Sequence, residues 1–230
     1  MKLFVGCVVT LFVATSAFAE LSKDEVKRLN EAATVLSELR NVPDNDIPQD
    51  LWNRAECVVV IPSLKKAAFV IGGEYGSGVM SCRHGNSWSA PMFMQLAKGS
   101  LGFQIGAEEI DLVLLVMNDG GVQKLLQDKV TLGADASVAA GPVGRTANAA
   151  TDAKLTAEML AYSRSKGAFA GINLSGGVLR PDKDANANAY GTKLTPHDIA
   201  MGTSPVAVPA AAQAWITSLR RDVRATTGVK

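Results

Sequence analysis

The sequence predicts an α+β domain: a mainly antiparallel β core, sandwich- or barrel-like, with helices at its N-terminus, middle and C-terminus. Three observations carry this. Short apolar runs at residues 58–61, 67–71, 92–96 and 112–117 are bounded by glycine- or proline-bearing stretches, as strands are. The links between them are too short for regular helical crossovers, which favours antiparallel pairing. Apolar residues recur at helical spacing on either side of that region, at Val26, Leu29, Ala33 and Leu36, and again at Trp215, Ile216, Leu219 and Val223.

Taken in order, the chain opens with Lys2, the almost wholly apolar stretch 3–13, and Ala17-Phe18-Ala19. This is the layout of a secretory signal cut after Ala19. The apolar stretch is short for a bilayer span, and polar Ser22-Lys23-Asp24-Glu25 follows at once. The expected organisation is a signal at residues 1–19, a folded domain at 20–192, and a helical extension at 193–230 packed on that domain. The expected location is the periplasm or the cell exterior.

Within the domain, Ser22 and Glu25 form a capping box that starts a helix over 22–40. A helical turn is expected at 49–54. Strand 58–61 is expected to stop at Pro62, and 67–71 is a second strand. Further strands are expected at 92–96, 102–107, 112–117, 129–140 and 168–174. Asn118-Asp119-Gly120-Gly121 signals a turn, 122–127 a short helix, and 152–162 a helix between the last two strands. Residues 182–188 read as a polar loop. Pro205 and Pro209 precede the final helix.

Composition narrows the function. A net charge of +1 argues against a nucleic-acid binder, and 47% apolar residues are ample for a core. Of the three cysteines, Cys7 leaves with the signal. Cys57 and Cys82 then form an even pair, which in an oxidising compartment predicts a disulfide, with two buried thiols as the alternative. The two histidines, His84 and His197, show no metal-ligand spacing, so no metal or cofactor is expected. Gly72, Gly73, Gly76 and Gly78 do not fit a phosphate-binding loop and are read as backbone spacers. Asp182, Asp184, Asn186 and Asn188 mimic a calcium loop, but Ala187 and Lys193 stand where glycine and glutamate belong. Glu108, Glu109 and Asp111 read as a solvated turn. Ser63 with Lys66, and Ser163 with Lys166, have the spacing of a serine acyl-enzyme but lack its companion motifs. No catalytic residue is assigned. Two basic sets remain as candidate contacts for an anionic headgroup: Lys65 with Lys66, and Arg145, Arg164 and Lys166 among glycines and small residues.

The middle of the chain resembles the SYLF-domain family. The resemblance is carried by Gly76-Ser77-Gly78-Val79, Trp88-Ser89-Ala90-Pro91, the run 102–108 with Asp111, Ala140-Gly141-Pro142-Val143-Gly144-Arg145, Tyr162-Ser163-Arg164-Ser165-Lys166-Gly167 and Asn188-Ala189-Tyr190-Gly191. It spans roughly residues 25–192 in order and spacing. It implies a non-catalytic lipid-binding module without a cofactor. Eukaryotic members bind phosphoinositide membranes, in part through an N-terminal amphipathic helix, and yeast members bind actin. The expectation is therefore binding of a phospholipid or phosphoinositide-like anionic lipid outside the cytoplasm, as for exported bacterial-type members. The alternatives are a protein-interaction module or an uncharacterised serine hydrolase using Ser63 or Ser163. One departure stands out: residues 22–40 carry four basic and four acidic residues, whereas an anionic membrane selects a basic face. That balance suits a helix packed on its own domain. N-terminal sequencing of the exported protein is expected to begin at Glu20; an acylated chain beginning at Cys7 would overturn this.

Overall fold

The structure, a computed structural model, describes residues 21–40, 47–68, 71–101, 106–143, 156–165 and 168–220. The export segment lies outside these residues. Helix α1 (Lys23–Arg40) begins as its sequence dictates: Ser22 Oγ accepts the Glu25 N–H at 3.3 Å, and the Glu25 carboxylate accepts the Ser22 N–H at 2.7 Å. Its apolar stripe is buried, with Leu29, Ala32, Val35, Leu36 and Leu39 facing the sheet. Each fully buried leucine contributes roughly 1.5–3 kcal/mol. The stripe that would enter a membrane thus belongs to the core. Helix α2 (Gln49–Arg54) follows and buries Leu51 and Trp52.

The sheet is one curled, open layer, a half-barrel, in the order β6-β10-β4-β2-β1-β5-β8-β7, with β3 and β9 attached to β2 and β8. Its strands are β1 (Cys57–Ala68), β2 (Ile71–His84), β3 (Ser87–Trp88), β4 (Met92–Leu101), β5 (Gly106–Val116), β6 (Val130–Thr131), β7 (Val138–Ala140), β8 (Met159–Ser165), β9 (Ala168–Gly171) and β10 (Val178–Pro181). Pairing is antiparallel throughout the described strands except between β7 and β8. The central strands are buried on both faces. Val58, Val60, Val79, Phe93, Val113 and Leu115 point to the helices, while Cys57, Val59, Ile61, Met80, Met92 and Leu114 fill the concave side. The remaining helices are α3 (Asp119–Leu125), α4 (Lys183–Tyr190), α5 (Pro196–Met201) and α6 (Gln213–Leu219). Helices α5 and α6 serve opposite faces: Ile199 and Ala200 enter the concave core, and Trp215 the helix-side core, where its Nε1–H donates to Ser81 Oγ at 2.9 Å.

Several expectations are corrected. Pro62 does not end a strand, because β1 bulges there. Its register shifts between Ile61 and Leu64 against β5, and Ser63 takes φ 49°. A bulge removes the missing proline N–H from the ladder, so the strand resumes beyond it. The bulge leans onto β2: a Cβ on Gly76 would lie 2.8 Å from Leu64 Cδ1, and one on Gly78 2.8 Å from Ile61 Cα. The glycine run is therefore a clearance for β1. The expected strand at 67–71 is instead the junction of β1 and β2, whose connecting residues 69–70 lie outside the description. Of the strand expected at 102–107, only Gly106 and Ala107 are described, at the start of β5. Glu108, Glu109 and Asp111 lie in β5 rather than a turn. Residues 129–140 form two short strands with turns between them. Asn118 caps α3, accepting the Gly121 N–H at 2.9 Å.

The end of the expected helix 152–162 is strand β8, since Met159, Leu160, Ala161 and Tyr162 are all buried between β5 and β7. Residues 152–155 lie outside the description. The polar loop 182–188 is helix α4 with its cap. Asp182 accepts the Ala185 N–H at 3.3 Å and pairs with Arg28 at 2.6 Å, Asn186 exchanges hydrogen bonds with the Phe93 backbone, and Asn188 donates to Glu25. These groups act as helix-docking contacts, not calcium ligands.

Cys57 and Cys82 are direct cross-strand partners and are joined by a disulfide, with Sγ–Sγ 2.04 Å. Closing a loop of sequence separation 25 stabilises by roughly 3 kcal/mol through the unfolded chain. Non-reducing peptide mapping of protein from its native compartment is expected to show the linked pair. Cys57→Ala with Cys82→Ala should lower unfolding free energy by about that amount in denaturant titration.

Candidate functional site

The basic residues singled out in the sequence do not form one cluster among the described residues. Arg145 and Lys166 lie outside them. Arg164, on β8, stands opposite Asp111 of β5. Its Nε and Nη2 donate to Asp111 Oδ2 at 2.7 and 2.5 Å, and its Nη1 meets the Glu38 carboxylate of α1. The other Asp111 oxygen accepts the Ser63 N–H at 3.0 Å, so this carboxylate holds the β1 bulge as well. Burial pushes the Asp111 carboxyl up, opposed by that N–H, and burial pulls the Arg164 guanidinium down. Arg164 is thus matched by two carboxylates and ties β1, β5, β8 and α1 together.

Lys65 and Lys66 lie where β1, β2, β4 and β5 run beyond the last core layer of Leu64, Leu96 and Ile110. Successive residues of a strand face opposite sides. Lys66 shares a row with Glu74, Lys98 and Glu108, and Lys65 shares one with Tyr75, Ala97 and Glu109. Alternating charge across four strands stabilises pairing by roughly 0.2–1 kcal/mol per pair and leaves the rows without a net basic field.

Ser63 with Lys66, and Ser163, sit on strands. An extended chain does not place residues three apart one helical turn from each other, so the acyl-enzyme spacing loses its geometric basis.

A different feature has the shape of a binding site. An open groove of about 1110 Å³ runs between the start of α1, the end of α4 and the strap of residues 205–211. Leu21, Val26, Tyr190, Leu194, Val206 and Val208 line it, and no charged side chain is among its lining residues. The Tyr190 hydroxyl donates to the Pro91 carbonyl at 2.5 Å. Burial raises the phenol's pKa, and the Glu25 carboxylate raises it further. The groove meets the sheet at Pro91, just before β4, while Lys98 lies six residues along that strand, roughly 20 Å away. Groove and ribbon lysines are therefore separate sites. The groove is not legible in any one stretch of sequence because its walls come from segments far apart in the chain. The signals present were the two prolines of the strap and the apolar Val206 and Val208.

A family model described as Ysc84, Las17-binding protein actin regulator, matches residues 97–222, more than half of the chain. The chain belongs to the Ysc84 family. It is 37% identical over 163 residues to LAS seventeen-binding protein 3 of Saccharomyces cerevisiae, covering 69% of this chain and 35% of the relative. It is 35% identical over 196 residues to an SH3 domain-containing protein of Schizosaccharomyces pombe, covering 83% of this chain and 45% of the relative. It is 33% identical over 186 residues to SH3 domain-containing YSC84-like protein 1 of Homo sapiens, covering 80% of this chain and 54% of the relative. The chain thus spans about a third to a half of these curated relatives. The match to the Ysc84 family model runs through α6, so the helices after residue 192 fall within it.

Several motifs that carry the resemblance have structural work in this Ysc84 domain. Gly76 and Gly78 clear the bulge, and a Cβ on Gly141 would fall in the Tyr162 ring. Arg164 and Asp111 form the inter-strand pair. Arg164→Met or Asp111→Ala is expected to destabilise the domain by about 3 kcal/mol, the cost of leaving one partner of a largely desolvated pair unmatched. Glu38→Gln should cost under 1 kcal/mol because Glu38 is half exposed. Urea titration checks both.

Proposed function

We propose that this Ysc84 domain is a non-catalytic binding module that takes lipid outside the cytoplasm. The carrying observation is the groove: it is an open apolar concavity of about 1110 Å³, and its lining holds no charge. Small-molecule sites are concave and mostly apolar, with few polar groups. The family description and the relatives' names speak of binding and regulation rather than of a reaction, which supports the non-catalytic part. The layout of residues 1–19 and the bonded pair Cys57–Cys82 support a place outside the cytoplasm. Arg145 and Lys166 are the proposed contacts for an anionic membrane surface, with Lys65 and Lys66 a weaker pair because Glu74, Glu108 and Glu109 face them across the strands. Arg164 contributes to that role by holding the strands.

A second reading, a protein-interaction module, is favoured by one finding. A relative is named for binding LAS seventeen, and the family description names actin regulation. Those names belong to proteins two to three times longer than the shared region.

Native mass spectrometry of the chain, purified mildly from its own compartment, is expected to show bound lipid. A stable protein partner with no lipid would favour the second reading.

A further inference from the structure

We propose that the groove beside the start of α1 takes up the hydrocarbon chain of a long-chain fatty acid, so that lipid is enclosed rather than only touched at a surface. This rests on the lipid reading above and names the ligand of that site.

The lining decides what can enter. Its side chains are aliphatic apart from Tyr190 and Gln213, and the Tyr190 hydroxyl is already donated to Pro91. The strap contributes Pro205 and Pro209, which have no N–H to offer, and Val206, Ala207 and Val208, which are half-buried or exposed. A peptide would bring a donor and an acceptor with every residue, and each one buried without a partner costs free energy. A hydrocarbon chain brings neither. The volume of about 1110 Å³, open at the surface, is ample for one chain, since ligand sites run from roughly 300 to 1,000 Å³.

The surroundings point the same way. Among the described residues, the large apolar side chains that are exposed are Tyr75, out on the ribbon, and Val208, on the groove wall. The apolar stripe of α1 is committed to the core, so it offers no competing surface. Charge enters in residues next to the lining. Exposed Lys193 precedes Leu194, and exposed Lys23 lies one turn before Val26, while the nearby Glu25 carboxylate is buried and accepts hydrogen bonds from Ser22 and Asn188. An anionic end group left at the mouth would meet these ammonium groups while its chain lies inside.

The test uses the chain after removal of co-purified lipid, with palmitate below its micellar concentration as the probe, followed by calorimetry. Val208 is partly exposed, so Val208→Asp should fold normally by circular dichroism; Leu194→Gln serves as a second, milder variant. Saturable binding is expected. Val208→Asp should weaken it at least tenfold, Leu194→Gln several-fold, and Lys193→Glu about three- to tenfold. Equal binding by folded wild type and Val208→Asp would overturn the site. No palmitate binding, with retained flotation on phosphatidylglycerol vesicles, would overturn the enclosed chain while the lipid reading stands. Loss of both would remove the lipid reading itself. Binding of lysophosphatidylglycerol but not palmitate would overturn the fatty acid as occupant. A dimer dissociated by Val208→Asp without change in palmitate binding would make the groove an interface between copies.

Discussion

Strand β1 is buried on both faces, and much of the molecule follows from that constraint. Val58 and Val60 need cover on one side, and Cys57, Val59 and Ile61 on the other. A flat sheet would need a second layer of helices to cover both. Here α1 and α6 close one face, and on the other the curled sheet shares one core with α3 and α5, which bring Val122, Leu125, Ile199 and Ala200 to the cluster of Met80, Met92, Leu114 and Leu179. Curling in turn calls for a bulge, and the bulge calls for Gly76 and Gly78 beneath it and for the Asp111 carboxylate to hold Ser63. The Arg164 pair then carries that carboxylate's charge. A chain of packing requirements thus ends in an ion pair, and a basic residue in a shared motif is explained without a ligand.

This bears on how function sits on the fold. The helix that would serve as a membrane anchor is a core element with a balanced polar face, held to α4 by Arg28–Asp182 and Glu25–Asn188. Those contacts also set one wall of the groove, because α4 ends at Tyr190. The outer ribbon has another character: its rows pass from alternating charge to glycine and alanine, with Gly73 opposite Ala67 and Gly99. The groove and the ribbon lie at opposite ends of β4, so one can vary without disturbing the other.

What could be read in the sequence was what is local. The capping box and stripe of α1 announce that helix, and α2 and the apolar part of β1 are equally plain. The disulfide partners followed from counting. The fold class followed from the pattern of short runs and short links. The misreadings have a common cause. A strand buried on both faces loses its alternation, so Met159-Leu160-Ala161-Tyr162 is a plain apolar run, as open to a helix as to a strand. Helix α4 is masked in the opposite way, because its buried face is Ala185, Asn186 and Ala189, too small and polar to mark a stripe. The Arg164–Asp111 pair and the groove join residues far apart in the chain, so no single segment shows which residues meet there.

The Cys57–Cys82 bridge lies at the open end of the β1–β2 hairpin, away from the connection at 69–70. It turns the hairpin into a covalent ring. Antiparallel hairpins come apart most easily by fraying from their free ends, and here that route is shut. Opening of the hairpin must then start from its other end and travel toward the cores. The bridge therefore gives the domain a direction of unravelling: its outer ribbon loosens first, while the pairs beside the cysteines are the last in the hairpin to part.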